Sequence, residues 1–268
     1  MTTPPWTPDS SPHQAPATQR RGTSGWLIAA VVTAIVVVLV CAVVAAAVFV
    51  LRLRDDATGA APGDTTASAA DGTCRWLPVE AASNVNVKDV GTPPRTVPTN
   101  GVQQLTMTTN RGVVTIQVDT GKAPCAAASI THLAGRRFFD GTSCHRLVTE
   151  GIKVLQCGDP SGTGMGGPAY QFSEENLPTT ADADPYPVGT LAMAKTQAPH
   201  TTGSQFFIVY GPTPIAPEYT VLGTVTAGMD VIHTIGKGGA VDPAGNTAPD
   251  GTPKSPVTIA TLTITPAA

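Results

Sequence analysis

From Gly101 to the carboxyl end, apolar residues come in short runs separated by turn residues. The stretch "QQLTMTTNRGVVTIQVD" alternates apolar and polar positions on both sides of "TNRG". This predicts a hairpin with Leu105 and Met107 on one arm and Val114, Ile116 and Val118 on the other. "FFDGTSCHRLV", "IKVLQC", "GTLAMA", "SQFFIVY", "YTVLGTV" and "SPVTIATLTI" read as further strands. Pro124 opens "CAAASITHLA", which suits a short helix with proline in its first turn. "AGMDVIHTIGKGG" reads as a second short helix, ended by Gly236 or Gly238. Many short strands with two short helices predict a mainly β domain over residues 98–268, a closed or nearly closed barrel.

The amino-terminal part follows other patterns. Residues 1–25 are rich in Pro, Thr and Ser and lack the apolar groups that offset ordering, so they read as a disordered tail. Residues 26–51, "WLIAAVVTAIVVVLVCAVVAAAVFVL", carry no charge. About 20 apolar residues span a bilayer, and a signal-peptide core is shorter, so this run predicts an uncleaved transmembrane anchor. Arginines flank it on both sides (Arg20 and Arg21, Arg52 and Arg54), so positive charge does not set the orientation. The long polar remainder favours a single-pass cell-membrane protein with its amino terminus inside and its large domain extracytoplasmic. Residues 52–97 read as a flexible linker and an extended lead-in, with Cys74 as a possible tie.

Charge and cysteines narrow the chemistry. From Asp55 onward there are 12 Lys and Arg against 18 Asp and Glu, a net of −6 with no basic stripe. That argues against nucleic-acid binding. Cys74, Cys125, Cys144 and Cys157 form an even set that an oxidising compartment would pair. Cys144 and Cys157 lie on strands that should pair, yet strand alternation could aim them at opposite faces, and the connectivity stays open. The histidines are scattered and no C-x-x-C occurs, so no metal or other cofactor is expected. "GTGMGG" (162–167) matches G-x-G-x-x-G, but Pro168 follows at once and no helix opens there. A close-packed loop is the better reading than a nucleotide site.

Four stretches point further. "FFDGTSCHRL" (138–147), "LQCGDPSGTGMGG" (155–167), "GTLAMAKTQAPHTTGSQFFI" (189–208) and "YTVLGTVTAGMDVIHTI" (219–235) resemble, in order, the motifs of the cyclophilin family. With the apolar run, the chain resembles a bacterial membrane-anchored form. The resemblance covers residues 101–266. It implies an eight-stranded closed antiparallel β-barrel capped by two helices, and peptidyl-prolyl cis-trans isomerase activity on Pro-containing polypeptides. It also implies a glycine loop that borders a peptide groove. Arg146 and Gln205 match the family's catalytic positions. Val154, Gln156, Met193, Ala194, Phe207, Ile215 and Tyr219 match its substrate-binding positions, with Phe206 on the core face. His145 is expected to point inward. A monomer is expected.

The chemistry fits those residues. Amide resonance holds an X–Pro bond behind roughly 18–20 kcal/mol. Catalysis needs no nucleophile. It needs a donor aimed at the prolyl nitrogen, where electron density gathers as resonance breaks, and a guanidinium is a permanent, rigid donor. There are departures from the family pattern. "LVTEGIKVL" is two residues longer than its commonest version and lacks a pocket phenylalanine. Lys195 replaces an asparagine, Tyr219 a histidine, and a tryptophan is missing from "GPTPIAPEY". These leave open a catalytically weak module that only binds Pro-containing segments.

Overall fold

The computed structural model describes residues 71–79, 85–179 and 184–266. The apolar run at 26–51 lies outside these residues, and among those described no helix is long and apolar enough to cross a membrane. In chain order the strands are β1 (Leu77–Pro78), β2 (Val87–Lys88), β3 (Val102–Thr109), β4 (Gly112–Asp119), β5 (Thr142–Ser143), β6 (Arg146–Val148), β7 (Val154–Cys157) and β8 (Gly167–Pro168). They continue with β9 (Tyr170–Gln171), β10 (Thr190–Met193), β11 (Phe206–Val209), β12 (Val221–Ala227), β13 (Ala240–Val241), β14 (Thr247–Ala248), β15 (Asp250–Pro253) and β16 (Thr258–Pro266). Helices α1 (Pro124–Gly135) and α2 (Met229–Gly238) complete the set.

The expected hairpin is β3 and β4, with Leu105 opposite Ile116 and Met107 opposite Val114. All four side chains are buried, so the period-two pattern does mark the core face. One sheet of 12 strands runs β14-β13-β15-β6-β7-β11-β10-β12-β4-β3-β16-β5. It curls around a core that α1 enters with Ala126, Ala127, Ile130 and Leu133, and α2 with Ile232 and Ile235.

The ladder does not close into an eight-stranded barrel among the described residues, because its end strands β14 and β5 do not pair with each other. The stretch read as one strand over 138–148 is the reason. Phe138 and Phe139 pack in the core ahead of it, and the strand breaks at Cys144 and His145. Its first part, β5, pairs with β16, while its second part, β6, pairs with β7 and β15. Two residues of covalent chain thus link the end of the ladder to its interior.

The lead-in is built into the folded body, which therefore begins before residue 98. Cys74 is bonded to Cys125 at the start of α1. Strand β1 pairs with β9, and β2 runs parallel to β8. Trp76 stands edge-on to Tyr170 and Phe172, at 5.3 and 5.5 Å between ring centroids.

Candidate active site

Register assembles the site. Arg146 on β6 lies opposite Gln156 on β7. Gln156 lies opposite Phe207 on β11, Phe207 opposite Ala192 on β10, and Ala192 opposite Val221 on β12. Directly opposed residues share a sheet face. One lateral row across five strands therefore sets a cation and an amide beside an apolar patch, on the face away from the core. The patch is a separate cluster of Val148, Val154, Tyr186, Ala192, Phe207 and Val209, with Ala194, Ile215 and Tyr219 packed against it. Phe207 meets Tyr219 edge-on at 5.4 Å.

The same alternation moves Met193. On β10, Leu191 and Met193 point into the core while Ala192 points into the patch. Met193 is 1% exposed in that core, so it is not a wall of the pocket. Phe206 is also a core residue. Val154, Phe207, Ile215 and Tyr219 line or abut the patch. Ala194 packs against it and donates its N–H to the Gln205 carbonyl at 2.8 Å.

Polar contacts form a chain along one edge. Arg146 Nε and Nη2 donate to Asp250 Oδ1 and Oδ2 at 2.9 and 2.7 Å. Nη1 donates to Gln156 Oε1 at 3.2 Å. Gln156 Nε2 donates to Gln205 Oε1 at 2.9 Å, and Gln205 Nε2 donates to the carbonyls of Gly164 and Gly166 at 3.0 and 2.9 Å. The hydrogen bond to Asp250 raises the already high Arg146 pKa, so the charge is permanent. A two-pronged contact of this kind fixes the orientation of the guanidinium.

The glycine loop turns N–H groups inward. It wraps the buried carboxylate of Asp159. Oδ1 accepts from the N–H and hydroxyl of Ser161, and Oδ2 from the N–H groups of Gly164 and Gly166. A Cβ at Gly166 would fall on that carboxylate, so only glycine fits. Burial pushes the Asp159 carboxyl up, but its hydrogen bonds from Ser161, Gly166 and Gly164 together outweigh burial and leave it below its ordinary value. A depressed carboxyl adds stability that is present above its unfolded value and lost as pH falls through the folded one. Asp159→Asn is expected to flatten the acid limb of a pH–stability curve below about pH 4. It also sets an NH₂ against the loop donors. With its carbonyl partners loosened, Gln205 should lose aim, lowering kcat/KM about tenfold.

His145 contacts the same loop: a Cβ at Gly164 would sit 3.4 Å from its ring. Neither ring nitrogen has a partner, and burial lowers its pKa, so it is a neutral packing residue.

Two residues of the site escape sequence reasoning. Asp250 lies on β15, 104 residues from Arg146, and no local motif marks it. Tyr186 is fully buried behind the patch. Its hydroxyl donates to the Tyr219 carbonyl at 3.1 Å and accepts the Tyr219 N–H at 2.8 Å. Burial pushes its pKa up to about 12. Tyr186→Phe would orphan both backbone groups, at about 1–3 kcal/mol. Melts should show that loss, and peptide kinetics should show a raised KM with kcat little changed.

Beside the polar chain lies a cleft of about 230 Å³, bordered by Gln156 and Gln205, with Tyr170, Met165 and Lys195 in its lining. Val79 and Val87 of the lead-in complete its wall.

Residues 104–264 match the family model described as cyclophilin type peptidyl-prolyl cis-trans isomerase/CLD. The chain belongs to the cyclophilin family. Among curated relatives, it is 43% identical over 182 residues to the probable peptidyl-prolyl cis-trans isomerase B of Mycobacterium tuberculosis, covering 63% of this chain and 58% of that protein. It therefore spans less than two thirds of that relative's length. It is 36% identical over 179 residues to the peptidyl-prolyl cis-trans isomerase A of the same species, covering 59% of this chain and 90% of that one. A solved cyclophilin type isomerase of Cryptosporidium parvum aligns with a TM-score of 0.49 and 24% identity, over 62% of this chain and 99% of that one. This cyclophilin sets the polar chain and the apolar patch side by side on one sheet face.

Proposed function

We propose that this cyclophilin is a peptidyl-prolyl cis-trans isomerase. The observation that carries the reading is the lateral row from Arg146 through Gln156 to Phe207 and Ala192. A prolyl ring seated against Phe207 and Tyr219 would bring its nitrogen towards the Arg146 guanidinium. Twisting the amide localises a lone pair on that nitrogen, and a preset donor stabilises the twisted state more than either planar one. Gln156 and Gln205 would hold the flanking backbone. No bond is made or broken.

The clients we propose are Pro-containing segments of secreted or membrane proteins. The chain would be held by residues 26–51, with its domain outside the cytoplasm. The uncharged run and two disulfide bonds support that location, since such bonds persist in oxidising compartments. A protease-coupled assay of the full chain in detergent, on an Ala-Pro peptide, tests the activity. Cis-to-trans conversion well above the uncatalysed rate is expected. Peptide binding with no acceleration would leave only a binding module.

A further inference from the structure

Arg146 occupies an end of the β6–β7 ladder. Strand β6 has three residues, and Arg146 with Gln156 is its terminal pair with β7. On its other side β6 pairs with β15 only through Leu147 and Val148, so Arg146 gains no second strand. Immediately before it, the strand breaks at Cys144 and His145. Terminal pairs of short strands open most readily. Asp250 holds the side chain, but the backbone beneath it lacks a second strand, and a catalytic donor tolerates little displacement.

Cys144 and Cys157 are bonded to each other across this end. Cys144 is two residues before Arg146, and Cys157 directly follows Gln156. Both are buried, at 1% and 0% exposure. Beyond the bridge, Cys157 pairs with Phe206, which ties the clamp to β11. The Cys74–Cys125 bond lies elsewhere, joining the lead-in to α1. We propose that the Cys144–Cys157 bridge is a positioning element for catalysis, closing the open end of the β6–β7 ladder so that Arg146 and Gln156 keep their mutual register. Ground-state binding by the patch around Phe207 and Tyr219 does not pass through it. The bridge therefore acts on kcat rather than on peptide affinity.

This inference rests on the isomerase reading, and the two fail separately. A wild-type chain without isomerase activity refutes the reading, and with it any role in catalysis for the bridge. With an active wild type, the test compares Cys144→Ala/Cys157→Ala with Cys74→Ser/Cys125→Ser, both as full chains, at a temperature where circular dichroism shows each folded. The first is expected to lose about tenfold in kcat, with KM and peptide Kd near wild type. The second should keep its kcat. Equal kcat in all three proteins, or equal losses in both variants, overturns the proposal. Should the first variant fail to fold, the native chain is reduced stepwise, and each bridge is followed by mass spectrometry of alkylated peptides. Activity that falls as Cys144 and Cys157 become free, ahead of any change in dichroism, supports the proposal. Activity that survives their release overturns it.

Discussion

Replacing Arg146 by alanine is expected to lower kcat/KM on an Ala-Pro peptide by about a hundredfold to a thousandfold, the usual cost of deleting one aimed donor. The fall should lie in kcat. The apolar patch that would seat the ring is built from Val154, Ala192, Phe207 and their neighbours, a cluster that does not include the arginine. KM should therefore move little, the signature of an interaction made in the transition state. Stability should also move little. The Arg146–Asp250 pair is half exposed, at 41% and 47% of side-chain surface, and such pairs contribute about 0–1 kcal/mol. Arg146→Lys is the informative companion. It keeps the charge but not the fork, so it cannot hold both Asp250 oxygens and Gln156 Oε1 together. Its rate should fall between the other two. An alanine variant with wild-type kcat would remove Arg146 from the mechanism.

The contrast between charge and aim also shows what the sequence could tell. The residues of the lateral row stand in motifs that are visible in order along the chain, and the hairpin of β3 and β4 announces its inward face through Leu105, Met107, Val114 and Ile116. That face is legible because one side of each strand is solvated. Strand β10 offers no such cue. All four of its residues are buried, Leu191 and Met193 in the core and Ala192 in the patch, so its period is hidden and the direction of Met193 could not be read. Asp250 and Tyr186 were missed for a different reason. Their partners, Arg146 and Tyr219, lie far along the chain, and only the pairing of β15 with β6 and the path of the 184–189 segment bring them near. The break at Cys144 and His145 was illegible as well, since "TSCHRLV" reads as a continuous strand. Its cause is tertiary: β16 claims one half and β7 the other.

The lead-in supplies the largest expected effect on stability. Cys74→Ser/Cys125→Ser opens a loop whose ends are 51 residues apart. In the chain-entropy account, losing a crosslink over that span costs about 4 kcal/mol. For a domain of this size, that is a drop in Tm of roughly 8–16 °C. The contacts that remain are modest. Strands β1 and β2 are two residues each, Trp76 adds two edge-on aromatic contacts, Lys88 Nζ reaches the Phe138 carbonyl at 3.5 Å, and His132 Nε2 meets the Val90 and Gly91 carbonyls at 3.1 and 3.2 Å. Once the tether is cut, the lead-in should therefore leave before the core melts, exposing Tyr170 and Phe172. Denaturant melts followed by hydrogen exchange would show residues 71–79 and 85–97 exchanging at conditions where β3, β4 and β16 stay protected. The lead-in strands pair with β9 and β8 and not with the strands of the lateral row that carries Arg146 and Phe207, so kcat should hold below the transition. Peptide preference is another matter, because Val79 and Val87 wall the cleft beside Gln156 and Gln205. A variant as stable as wild type would mean that the short strands, the aromatic contacts of Trp76 and the contacts of Lys88, Val90 and Gly91 hold the lead-in without the bond.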